Sequence, residues 1–402
     1  MQSRVVRPLA VAFLVGAIAA CGERSEAQVE ERVLEMTEEL APKVERAVGL
    51  PFKVPPAVAV RSREQVRAYM ARKMEEDMPP EQLDGMTVAY RLFGLLPDTL
   101  DLRELLVSLY TEQVVGYYDP DSTMLYVVAG ADPLVLKLTL AHELVHVLQG
   151  QYMTLDTLLE PDRDGDRRMA AQAVLEGQAT IASLMVLMPD RGFEDIPNFS
   201  ETYRQAIKQQ HAQMPVFNSA PLIVRESIVF PYLEGADFVR WFQKEYGEVQ
   251  PFDAHMPQST EQILHPERYR ERDQPIALRL VGTESVTHTD GLGEFETRIL
   301  LTTLSGSESV GRAGALYWGG DRYAVYEAGN GEHALVWWTA WDTAKAADRF
   351  ATLLDRNWPK HDTTGRVAII VREPVGGRPG VRLVDAPESW SGWDTMPRVE
   401  KK

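Results

Sequence analysis

One cysteine in 402 residues rules out an internal disulfide and any metal centre built on thiolates. Histidine is scarce too, with eight in the chain, so a centre built on imidazole can be sought by spacing alone. Positive charge is short: 42 Lys and Arg against 59 Asp and Glu give a net charge of −17, which argues against a nucleic-acid or anionic-membrane surface. Internal repeats, a Gly-rich phosphate loop and a serine or cysteine nucleophile motif are all missing, which leaves no covalent hydrolase signature. What remains is ordinary for a globular protein, 45% hydrophobic and 25% charged, and long enough for two domains with their own cores.

The first twenty residues differ from the rest. Arg4 and Arg7 precede an apolar run from Leu9 to Ala20, too short to span a bilayer comfortably and the size of a signal-peptide core. Its end, Ile18-Ala19-Ala20-Cys21, is similar to a bacterial lipobox, which implies cleavage before Cys21, lipidation of that cysteine and a membrane anchor. Gly22, where an aspartate would resemble an inner-membrane retention signal, points to the outer membrane facing the periplasm. An ordinary signal peptide that happens to contain a cysteine is the alternative.

The strongest pattern is His142-Glu143-Leu144-Val145-His146. Asp132 can cap a helix there, Pro133 suits its first turn, the residues around the histidines are uncharged, and Gly150 can end it. Residues i and i+4 share a helix face, so both imidazoles can reach one zinc ion with Glu143 beside it. Zinc held by two histidines and a third ligand keeps a position for water and acidifies it, so that a carboxylate can take its proton. The alternative is a buried amphipathic helix whose histidines only hydrogen-bond in the core.

A third ligand must come from elsewhere. The metzincin continuation requires glycine and histidine where Gln149 and Tyr152 stand, which excludes that class. Glu176 is the only charged residue in the apolar stretch Met169–Met188, and a lone carboxylate on a buried helix is costly unless paired or metal-bound. Ala173, Gly177 and Thr180 are small enough to bring its helix close to the histidine helix. A buried glutamate bonded to some histidine or arginine is the competing account.

With these positions in place, the chain resembles the gluzincin metallopeptidases, the thermolysin-like class with two motif histidines and a downstream helical glutamate. The resemblance implies His142, His146 and Glu176 as ligands of one Zn2+ per chain and Glu143 as general base. Glu112–Pro120 and Ser259–Pro266 are similar to stretches of uncharacterised bacterial members, so the likeness covers roughly residues 100 to 270. It implies a mostly helical zincin-like body with a small sheet, taken here as 21–274 after the leader 1–20; beyond about Gln274 the character of the residues changes and reads as a smaller α+β domain over 275–402, so the expected fold is α+β.

Around the motif, Gln113–Tyr118 and Met124–Ala129 read as a hairpin turned at Asp119-Pro120-Asp121-Ser122. Leu125, Tyr126 and Val127 are the expected edge along which an extended peptide or protein substrate pairs by β-augmentation. His265, set between a capped turn at Ser259 and Pro266, is the leading donor to a tetrahedral oxyanion, with Tyr232 and Tyr269 in reserve. Asn198 or Ser200 should start a helix to about Gln213, and Leu222–Tyr246 another, kinked at Pro231. Later residues predict a helix over 292–304, a hairpin at Asn330-Gly331, a helix from Asp342 and two strands; their tryptophans suit an aromatic core. The expected activity is zinc-dependent peptide hydrolysis in the cell envelope. Two rivals use the same residues: hydrolysis of another amide or ester, and a non-catalytic zinc-binding lipoprotein serving as scaffold or assembly factor.

Overall fold

The computed structural model describes residues 10–13, 26–158, 164–188, 201, 203–205, 214–282, 285–359 and 365–402. Cys21 and nearly all of the helix expected from Asn198 lie outside them.

The first half builds one sheet and lays helices over it. Strand β1 (Ala10–Phe13) and helix α1 (Glu26–Val48) precede β2 (Ala57–Arg61), α2 (Arg63–Asp77), α3 (Pro80–Leu92) and α4 (Leu102–Gln113). Strands β3 (Val114–Asp119) and β4 (Met124–Val128) then form the expected hairpin, and α5 (Pro133–Tyr152) leaves it directly. Local chemistry sets the boundaries: Ser62 and Gln65 close a capping box at the start of α2, and Asp132 caps α5 through Leu134 N and Val135 N. Gly150 does not end α5, which runs on to Tyr152. A methyl carbon at Gly150 would stand 3.1 Å from the Tyr118 hydroxyl, so the glycine makes room for a tyrosine.

The sheet order is β1-β3-β4-β2, with β2 parallel to β4 and the other pairs antiparallel. This corrects the expected substrate edge: β4 is hydrogen-bonded on both sides, so Leu125, Tyr126 and Val127 have no backbone groups to offer a peptide. The strand beyond β4 is β3, and its outer side pairs with β1, part of the segment expected to be an export leader.

After the short α6 (Leu155–Leu158) comes α7 (Gly165–Leu187), then α8 (Pro215–Ser219) and α9 (Leu222–Tyr246). Among the described helices only α7 is long and apolar enough to cross a membrane; 83% of its apolar window is buried in the protein, so it is a core helix. Its small residues serve a different neighbour from the expected one. A methyl carbon on Gly177 would stand 2.6 Å from Ala236 N and closer still to Gly235, so Gly177 and Ala173 face α9, while α5 packs on another side of α7.

Two short helices, α10 (Thr260–Leu264) and α11 (Pro266–Glu271), lead to β5 (Leu278–Val281), β6 (Val286–Asp290), α12 (Gly293–Ser305) and α13 (Glu308–Ala315). The hairpin β7 (Trp318–Gly329) and β8 (Glu332–Trp341), helix α14 (Ala344–Asn357), β9 (Arg366–Arg372), β10 (Gly380–Pro387) and β11 (Arg398–Lys401) complete the chain. Five strands form an antiparallel sheet in the order β6-β7-β8-β10-β9. Trp318, Trp337, Trp338 and Trp341 are buried, as an aromatic core requires, whereas Tyr317 is exposed. The fold is mixed α+β, but residue 274 is no break in the packing. One hydrophobic cluster joins Leu83, Phe230 and Phe295 to Tyr323 and Trp337, and Phe93 meets Tyr323 and Trp337 edge-on at 5.3 and 5.1 Å.

Candidate metal centre

Helix α5 rests on β3 because Gly116 presents no side chain there: a methyl carbon would stand 2.8 Å from Thr139 Cγ2. That contact places one turn of α5, carrying His142 and His146, against the middle of α7. The Nε2 atoms of the two imidazoles are 3.1 Å apart, and Glu176 Oε2 is 3.1 Å from His142 Nε2 and 3.3 Å from His146 Nε2. Two donors bound at about 2.0–2.1 Å to a tetrahedral zinc stand roughly 3.3 Å apart, so this triangle fits that ion. Each of the three residues is at most 2% exposed. Nε2 of each histidine and a carboxylate oxygen of Glu176 thus lie close enough together to hold one metal ion.

Without a metal the group shares protons. Burial pushes the Glu176 carboxyl up, but the charge of His146 and bonds from both imidazoles outweigh it and hold it at about 2. Burial also pushes both histidines down; Glu176 nonetheless carries His146 up to about 9, while His142 stays lowered, with the charge on His146 acting against it. Facing nitrogens this close cannot both be protonated, so the pair divides in this way.

Glu143 is fully buried and accepts a 2.8 Å hydrogen bond from Tyr118 N. Hairpin and motif helix are thereby locked together through the carboxylate assigned as base. Tyr232 reaches the site from α9: its ring lies over His142 at 5.9 Å between centroids, and its hydroxyl bonds to Glu176. Burial first, then the charges of Glu176 and Glu143, push that hydroxyl well above the usual phenol range, so it stays a proton donor.

His265 is not brought to this group. Its Nε2 lies 2.8 Å from Glu294 Oε1 at the start of α12. The neighbouring Thr260 N donates to Asp166, ten residues before Glu176 and so about 15 Å away along α7. Tyr269 donates to His255 O instead. The expectation for His265 is therefore corrected: the turn that holds it packs at the far end of α7, and of the three residues considered it is Tyr232 that reaches the metal group.

Sequence reasoning overlooked Gln149, whose Oε1 lies 2.8 Å from His146 Nδ1. Its place three residues after His146, on the same helix face, was the available signal. A second carboxylate group, Glu261, Asp273 and Asp342, also meets the spacing of a metal cluster. There the Arg268 guanidinium already faces all three, at 4.0, 2.8 and 3.1 Å, and supplies the counter-charge.

A family described as a domain of unknown function (DUF8575) matches residues 279–377, which hold four of the five strands of the larger sheet, and includes none of the metal group. Among solved structures, one described as "a putative hydrolase with a novel fold" from Chloroflexus aurantiacus is similar at 17% identity and a TM-score of 0.38, over 62% of this chain and 92% of that one. That likeness is too distant to bear on the site. No curated protein matches.

Proposed function

We propose that the chain is a zinc-dependent peptidase of the cell envelope, anchored by lipid at Cys21 to the outer membrane on its periplasmic side. The observation that carries this reading is the convergence of His142, His146 and Glu176 at tetrahedral spacing, with a fully buried Glu143 on the same helix turn. When bound, zinc supplies the Lewis acidity that activates water and polarises a carbonyl. Glu143, oriented by Tyr118 N, takes the proton of the attacking water and returns it to the leaving amine. Tyr232 donates to the oxygen that gains charge, from a hydroxyl that burial keeps protonated.

One observation favours the non-catalytic reading, a zinc-binding scaffold: the group is closed off from solvent, its three candidate ligands at most 2% exposed and Glu143 fully buried. Elemental analysis of the chain from Gly22 onward decides first. The expected result is about one zinc per wild-type chain, lost or weakened in a folded Glu176→Ala variant. Glu143→Gln should then keep the zinc and lose peptide hydrolysis; full turnover in that variant would remove the mechanism, and a zinc-loaded wild type inert toward peptides would support the scaffold.

A further inference from the structure

Behind His146 a line of side-chain amides runs through the protein. Gln149 Oε1 faces His146 Nδ1 at 2.8 Å, and Gln149 Nε2 donates to Leu175 O and to Gln178 Oε1, both at 3.0 Å. Gln178 Nε2 donates to Gln250 Oε1 at 2.8 Å, and Gln250 Nε2 donates to Val48 O at 2.9 Å. The line thus joins α5, α7 and the turn after α9 to the last residue of α1, whose carbonyl has no partner within its own helix.

The direction of every link follows from its ends. A backbone carbonyl only accepts, so Gln250 must turn its NH2 to Val48 and its oxygen to Gln178. The same step repeats at Gln178 and at Gln149, where Leu175 O enforces it a second time. At the head of the line only an oxygen is left to face the imidazole, so Nδ1 must carry the hydrogen. We infer that Gln149, at the head of this one-way line, is a positioning residue that fixes His146 as the Nδ1–H form with Nε2 turned to the metal group. The inference rests on reading His146 as a metal ligand.

The amide has a physical reason over the carboxylate that often backs a ligand histidine. Gln149 and Gln178 are 1% and 2% exposed, and the pocket already holds the Glu143 and Glu176 carboxyl groups. A third carboxylate at position 149 would face Leu175 O and Gln178 Oε1, two acceptors, with nothing to give them. Glutamine meets the imidazole and both acceptors without added charge.

The test compares wild type, Gln149→Met and Gln178→Met, each from Gly22 onward, with zinc affinity read by chelator competition. Exchange of the His146 Nδ1 proton in the zinc-loaded protein is followed by 15N-histidine NMR. Expected are a roughly 10- to 100-fold weaker zinc complex in Gln149→Met, a smaller loss in Gln178→Met, where Leu175 O still orients Gln149, and faster Nδ1 proton exchange in both. Wild-type affinity and exchange in a folded Gln149→Met would overturn the inference. If that variant does not fold, the 15N-histidine spectrum of the zinc-loaded wild type decides: His146 bound through Nε2 with a slowly exchanging Nδ1 proton supports the inference, and His146 bound through Nδ1, or with a freely exchanging Nδ1 proton, overturns it. A wild type that takes up no zinc would overturn the metal reading itself and the inference with it.

Discussion

Replacing Gly177 by alanine should loosen the protein at the helix that carries Glu176. Alanine is the better helix former by about 1 kcal/mol, so an isolated or exposed α7 would gain from the change. Here the new methyl carbon would stand 2.6 Å from Ala236 N and closer to Gly235, and both obstacles are backbone, so no side chain can swing away. The two helices must part, and overpacking a tight core costs up to about 3 kcal/mol. The net expectation is a loss of about 2 kcal/mol. Urea unfolding of the metal-free chain measures it through the midpoint at unchanged slope. Zinc affinity should fall as well, because the displaced residue is the neighbour of Glu176. A Gly177→Ala variant as stable as wild type would refute the close approach of α7 and α9, and with it the account of why small residues occupy 173 and 177.

Two other expectations concern the site and its surroundings. Tyr232→Phe should keep its zinc and lower kcat toward a cleavable peptide by about a hundredfold, the usual cost of one oxyanion donor; unchanged turnover would return that role to another residue. Burial pushes Glu296 up to about 8, so its folded-state advantage is full below the ordinary carboxyl value and is lost as the pH climbs toward 8. Glu296→Gln, which can still accept from Tyr90, should therefore lose less stability than wild type between pH 5 and 8, and equal pH slopes in urea melts would contradict this.

Elements whose ends are set by local chemistry were readable from the residues. The capping box at Ser62, the Asp132 cap and the hairpin between β3 and β4 each depend on groups a few positions apart. Sheet order does not. Nothing in Met124–Val128 says that β2, far back in the chain, pairs beside it in parallel, so an inner strand passed for an edge. The packing across residue 274 was hidden for a related reason: β6, β7 and β8 bury one face against α3 and Phe93, an association of distant segments that composition cannot report.

The site divides along the same line. Two histidines four apart on a helix must share a face, and a lone glutamate on an apolar helix must find a partner, so the meeting of His142, His146 and Glu176 followed from covalent geometry and the cost of burial. Which of His265 and Tyr232 reaches the group did not follow, since they differ only in where their elements pack: the first bonds Glu294 after a turn whose Thr260 meets Asp166 near the head of α7, and the second faces Glu176 at its middle. Gln149 lies between these cases. Its bond to His146 spans three residues of one helix and was open to the same reasoning that found the histidines. A polar side chain inside an apolar turn must bond to something, and His146 was the nearest group able to donate. Its bonds to Leu175, Gln178 and onward to Val48 belong to three other elements, and no local rule could have put them together.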